Sequence, residues 1–141
     1  EADKIGQACE LAKAAGAKRA LPLPVAGAYH SRLMVSAQPK LEAVIAEAPF
    51  AAPQVPIISK VTARPHGTPD TIRSRLVEQV TSSVRWEEGV RHLLSQGFSR
   101  FIELGPGKTL TGFLKRIDKN AVALNVADAA SLQETARALV G

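Results

Sequence analysis

One cysteine in 141 residues, Cys9, rules out an internal disulfide. It suits a reducing compartment, so the cytoplasm is the expected location. A lone thiol supplies no zinc ligand set, and the three histidines, His30, His66 and His92, lack metal spacing. Neither a metal nor a cofactor is expected. Aromatic residues make up only 4% of the chain, too few rings to favour stacking of nucleic-acid bases. No apolar run approaches the ~20 residues of a membrane span, and no signal peptide opens the chain, so no membrane partner is expected. A nucleophile elbow is missing too. The nearest approach to Gly-x-Ser-x-Gly, Gly97-Phe98-Ser99-Arg100-Phe101, ends on the wrong residue and enters a strand, not a helix.

What is present is an ordinary globular composition, 45% hydrophobic and 22% charged, with a net charge of +5. A basic surface suits anionic partners such as phosphates or an acidic protein. The first residue is Glu1, not methionine, and the residues after it already read as helix. A piece of a longer protein is the expectation.

Helices and strands alternate along the chain. Ile5, Ala8, Cys9 and Ala12 keep the spacing of one buried face in a helix over 3–15, with Gly16 as its left-handed cap. Residues 20–25 read as an edge strand short of donors, because of Pro22 and Pro24. A helix over 35–48 follows, with Pro39 in its first turn and Leu41, Val44, Ile45 and Ala48 inward. Val55 to Val61 reads as a short strand. Thr68 and Pro69 open a helix to about Val80, and Trp86 begins another that ends before Gly97. A strand over 98–104, a Gly-Pro-Gly turn, a helix to about Ile117 and a buried strand over 121–126 come next. Ser131 and Glu134 form the expected capping box of the last helix. The pattern indicates α/β architecture with a largely parallel sheet.

Three features carry candidate chemistry. His30 sits in a small-residue loop between strand and helix, where α/β proteins place reactive groups; an ordinary loop histidine is the alternative. Gln79 lies in the last turn of its helix, where carbonyls lack intrahelical donors. Such a carbonyl can accept a histidine Nδ1 proton and fix the tautomer, whereas a capping or packing glutamine is the plainer reading. Strand, Gly107-Lys108-Thr109 and helix together suggest a phosphate loop, but the position that requires glycine holds Ile102. Nucleotide hydrolysis is therefore disfavoured, although a helix N-terminus there still favours an anion. His66 and His92 read as surface residues.

Several segments in order then resemble one family. Gly16-Ala17-Lys18-Arg19-Ala20-Leu21-Pro22-Leu23-Pro24-Val25 comes first, followed by Gly27-Ala28-Tyr29-His30-Ser31. Next come Val55-Pro56-Ile57-Ile58-Ser59 through Val61-Thr62-Ala63, then Gln79-Val80, Ser83-Val84-Arg85-Trp86-Glu87 and the run from Glu103 to Leu110. Together they are similar to the C-terminal half of bacterial malonyl-CoA:acyl carrier protein transacylases. The resemblance implies a hydrolase-like parallel-sheet large domain, here its C-terminal part over 26–141. Residues 1–25 would end an inserted ferredoxin-like small domain, supplying its last helix and strand. It implies malonyl transfer from malonyl-CoA to acyl carrier protein through a malonyl-serine. His30 would be the base and Gln79 the residue whose backbone carbonyl orients it. The serine would lie in an N-terminal half that this chain lacks, so the isolated chain should be inactive.

Two departures from the family pattern stand out: Tyr29 replaces phenylalanine, and Lys60 stands where asparagine is usual. An aromatic residue before the histidine implies malonyl over methylmalonyl units. Lys108, Lys115 and Lys119 are spaced i, i+7, i+11, near one line of a helix, with Arg116 beside them. They are candidate carrier-protein contacts; a merely solvated face is the alternative. The rival readings are a polyketide synthase acyltransferase domain, against which the ending at Gly141 would speak, and a non-catalytic module that binds carrier or CoA.

Overall fold

A computed structural model describes residues 2–140; Gly141, the expected domain end, lies outside the described residues. Among the described residues six helices and two strands follow one another: α1 (Ile5–Ala14), α2 (Gln38–Glu47), α3 (Pro69–Gln79), α4 (Trp86–Ser95), β1 (Arg100–Leu104), α5 (Thr109–Ile117), β2 (Val122–Val126) and α6 (Ala129–Val140). Single 3₁₀ segments precede α1, at Ala2–Lys4, and α2, at Arg32–Ala37. The chain is mixed α/β with a small parallel sheet. β1 and β2 pair from Arg100 opposite Val122 to Leu104 opposite Val126, and α5 makes the crossover that parallel strands require. Helices α4 and α6 complete that unit, α4 against α5 and α6 against β2, while α2 packs on α3.

Local chemistry explains the helix ends. Thr68 Oγ1 accepts the Thr71 N–H, and Pro69 follows at the first helical position, where no N–H is needed. Gly16 and Gly97, at φ 92° and 88°, close α1 and α4 in the left-handed region that glycine enters without a Cβ clash. Pro39 falls in the first turn of α2, as its fixed φ requires.

Several expectations fail, each for a physical reason. Residues 20–25 form no strand: two prolines remove ladder donors, and among the described residues no neighbouring strand pairs with them. Val55 to Val61 is reduced to an isolated bridge between Ile58 and Pro65, because Ser59 Oγ accepts the N–H groups of Val61 and Thr62 and turns the chain. Val44 points outward, 67% exposed, and Ile45 alone in α2 is buried. No α1 residue with a described side chain is buried. Instead Ile5, Ala8, Cys9 and Ala12 line an open groove faced by residues 20–23 and 25–28. Among the described elements α1 touches only the 3₁₀ turn before it.

The last helix caps differently from the expected Ser131–Glu134 box. Asp128 Oδ1 accepts the Ser131 N–H at 2.8 Å, and Ser131 Oγ accepts the Asp128 N–H at 3.0 Å. Ser131 is thus the reciprocal third residue of the box, not its first. β2 is half-buried, not buried. Helix α5 ends at Ile117 because Asp118 turns extended, at φ −146°, and its carboxylate takes the Asn120 N–H.

Candidate active site

The loop before α2 is built around Ser31. Its hydroxyl donates to the Ala28 carbonyl at 2.7 Å and accepts the Leu33 N–H at 3.3 Å, while its own carbonyl takes the Met34 N–H. The turn so closed holds His30 at φ 61°, a left-handed conformation rare for a residue with a Cβ. From that backbone the half-buried imidazole reaches 49 residues along the chain: His30 Nδ1 lies 2.8 Å from the Gln79 carbonyl oxygen. A carbonyl only accepts, so Nδ1 carries the hydrogen, and in the neutral ring Nε2 is the nitrogen with the lone pair.

The Gln79 carbonyl is available because α3 ends there. Of its final carbonyls, Val77 accepts the Val80 N–H, and Glu78 accepts those of Thr81 and Ser82. The Gln79 oxygen takes the histidine instead, filling a helix-end acceptor as such groups require. Among the described residues the Gln79 side-chain amide makes no hydrogen bond. Gln38, unremarked in the sequence, spans from the start of α2 to this helix end. Its Nε2 lies 3.2 Å from the Val77 carbonyl and 3.3 Å from Thr81 Oγ1.

Tyr29 is 62% exposed, so water reaches its hydroxyl and no buried partner is needed. At Lys60 the structure records a backbone contact, the carbonyl accepting the Arg85 N–H at 2.9 Å. The four basic candidates are all exposed, and none has a salt-bridge partner among the described residues. They do not share one helix line. Lys108 is the N-cap residue of α5, Lys115 and Arg116 lie in its last turn, and Lys119 is beyond its end.

Glu103 was missed by sequence reasoning. Its carboxylate accepts the Leu110 N–H at 3.1 Å and the Thr111 N–H at 2.8 Å, so the α5 N-terminus, which favours an anion, is occupied by the chain's own acid. Thr111, through its backbone amide first of all, holds this carboxyl below its ordinary value, with a smaller contribution from the Leu110 amide. An acid at the end of a strand leading into a Gly-Pro-Gly turn was the available signal. Neither other histidine joins His30. His66 sits before α3, its Nδ1 buried without a partner, and burial and then the Arg75 charge lower its pKa. His92 lies on α4. Among the described residues no cluster of histidine, cysteine or carboxylate side chains could hold a metal ion, and no helix is long and apolar enough to cross a membrane.

The arrangement presents a histidine with one nitrogen pinned and the other free, the form of a general base. No model of a known protein family matches the chain. Individual proteins do. The malonyl CoA-acyl carrier protein transacylase of Bacillus subtilis is 40% identical over 126 residues, 89% of this chain and 40% of its own length. An acyl-carrier-protein S-malonyltransferase from Burkholderia pseudomallei superposes with a TM-score of 0.89 at 43% identity, over 94% of this chain and 43% of its own. A malonyl-transacylase solved with the acyl-carrier protein of a type II polyketide synthase gives 0.88 at 41% identity, over 92% and 42%. The chain thus spans about two fifths of the length of these relatives. Identity at that level, along one shared backbone path, makes the chain the counterpart of about two fifths of a malonyl CoA-acyl carrier protein transacylase.

Proposed function

We propose that this chain supplies the general base of a malonyl transfer from malonyl-CoA to the phosphopantetheine thiol of acyl carrier protein. The observation that carries the reading is the Nδ1 of His30 on the Gln79 carbonyl, which leaves Nε2 as acceptor. Nε2 takes the proton of a serine hydroxyl as that oxygen attacks the malonyl thioester. The CoA sulfur leaves and receives the proton. The carrier thiol then gives its proton to Nε2 and attacks the malonyl-serine, and the serine oxygen leaves and recovers it. The Gln79 carbonyl dipole faces the imidazolium that forms in each half-reaction. Two substrates and one base suffice, so the reaction needs no cofactor. With no nucleophile elbow among the 141 residues, the serine comes from a further part of the protein.

Residues 26–141 are read as part of a hydrolase-like large domain and 1–25 as the end of a ferredoxin-like small one. The division is supported by α1, which touches none of α2 to α6. Lys108, Lys115, Arg116 and Lys119 are exposed cations, without ion-pair partners among the described residues, that suit an acidic carrier. A polyketide carrier is the second reading, favoured by the matched transacylase solved with one. A cytoplasmic setting fits both.

The test is a transfer assay from malonyl-CoA to carrier protein, run on the 141-residue chain alone and on the same chain joined to the part of a relative that it does not match. The chain alone should be inert and the joined protein active. Full-rate transfer by the chain alone would overturn the placement of the nucleophile.

A further inference from the structure

The carbonyl that receives His30 is the last of helix α3, and its direction depends on what holds that end. Backbone bonds there are at the long end of the ordinary range: Val80 N–H to Val77, Thr81 N–H to Glu78 and Ser82 N–H to Glu78 are all 3.2 Å. Among the described residues, the one side chain of another helix that hydrogen-bonds to this end is Gln38. Both its partners lie two residues from Gln79, Val77 before it and Thr81 after it. The Val77 carbonyl can only accept, so the Gln38 amide is oriented with its NH₂ towards α3. Thr81 Oγ1 takes the same NH₂ and sits 3.5 Å from the Glu78 carbonyl. Gln38 is also only eight residues from His30. The α2 N-terminus that carries it follows directly on the 3₁₀ segment leaving the histidine loop. One amide therefore ties the element that carries the base to the element that carries its acceptor.

We infer that Gln38 is a positioning residue for His30, clamping the last turn of α3 so that the Gln79 carbonyl meets Nδ1 and Nε2 stays free. This rests on the reading of His30 as the base, but its central test does not need the enzyme to turn over. At about pH 8.5, roughly two units above the ordinary histidine value, ¹⁵N spectra of the imidazoles report the tautomer of each neutral ring. In the 141-residue chain His30 should show the Nδ1–H form.

Gln38→Glu keeps the length but loses the donor, and Gln38→Ala loses both. Each should raise the ratio of Nε2–H to Nδ1–H at His30 by about fivefold, the leverage of one net hydrogen bond. His66 and His92 should not change, and the helical circular dichroism should be kept. If Gln38→Ala fails to fold, Gln38→Glu decides. An unchanged His30 tautomer in folded Gln38→Glu overturns the inference, and so does an equal change at His66. In the joined enzyme Gln38→Glu should lower kcat and leave the KM for malonyl-CoA unmoved. A joined wild-type enzyme without transfer would sink the functional reading and leave the tautomer result standing. His30→Ala abolishing transfer while Gln38→Glu shifts no tautomer would do the reverse.

Discussion

At φ 61° the His30 backbone costs about 1–2 kcal/mol relative to an ordinary conformation. Such strain persists only where neighbours over-determine it, and Ser31 and the Gln79 carbonyl are the neighbours. In the joined enzyme His30→Ala should therefore slow transfer by roughly 10²–10⁴-fold, the usual contribution of a positioned acid–base group. Gln79→Ala should cost far less, since the contact is made by the main chain. Transfer kinetics of the two variants check this, and equal losses would move the role to the Gln79 side chain. Much of this pair was legible from sequence: a small-residue loop before a helix marked His30, and a helix-end position marked Gln79. Gln38 was not legible. Its significance lies in a contact 39 residues away, and nothing in its neighbours, Ala37 and Pro39, records it.

At the scale of elements, capping carboxylates decide how the protein meets acid. Glu103 and Asp128 are both held below their ordinary values, 4.5 and 3.8, first of all by the backbone amides of Thr111 and Ser131. A depressed carboxyl stabilises the fold above its ordinary value, and that contribution disappears as pH falls through the lower folded value. His66 is also depressed, from 6.5, chiefly by burial. The unfolded chain protonates it first, so stability begins to fall below about pH 6.5. Melting temperature against pH should thus decline in two stages, one starting near 6.5 and a second below about 4.5. Glu103→Gln should flatten the second and leave the first, and His66→Gln should do the opposite. Unchanged slopes in both variants would assign acid sensitivity to other groups. The helices were easier to read than the strands for a related reason. A helix satisfies its own backbone, and its caps are local, as at Thr68. A strand needs a partner, and 20–25 and 55–61 look extended in sequence but have no ladder to join.

The whole molecule exposes more surface than a body of its size should. A compact monomer of 14.9 kDa presents about 7,000 Å², whereas this chain presents 10551 Å². Among the described residues the buried apolar core comprises Ile45, Ala63, Val90 and Leu114. Parallel strands are ordinarily covered on both faces, yet Ile102 and Leu104, alternating with half-buried Phe101 and Glu103, are left 39% and 78% exposed. Leu21, Leu23 and Val25 add a second apolar stretch beside the groove along α1. The excess, on the order of 3,500 Å² on this chain alone by that scaling, is more than the roughly 1,000–2,500 Å² that each partner contributes to most obligate interfaces. Relatives about two and a half times as long have the material to cover it. The chain by itself should therefore enhance the fluorescence of an apolar dye such as ANS, and its sedimentation coefficient should rise with concentration through the micromolar range. Joined to the unmatched part of a relative, it should lose both properties, because the same apolar groups would then be interior. Patches this large are rare on independent monomers. A dye-silent chain that sediments as a monomer at every concentration would show that its exposed apolar residues are an ordinary surface and not the inside of a larger enzyme.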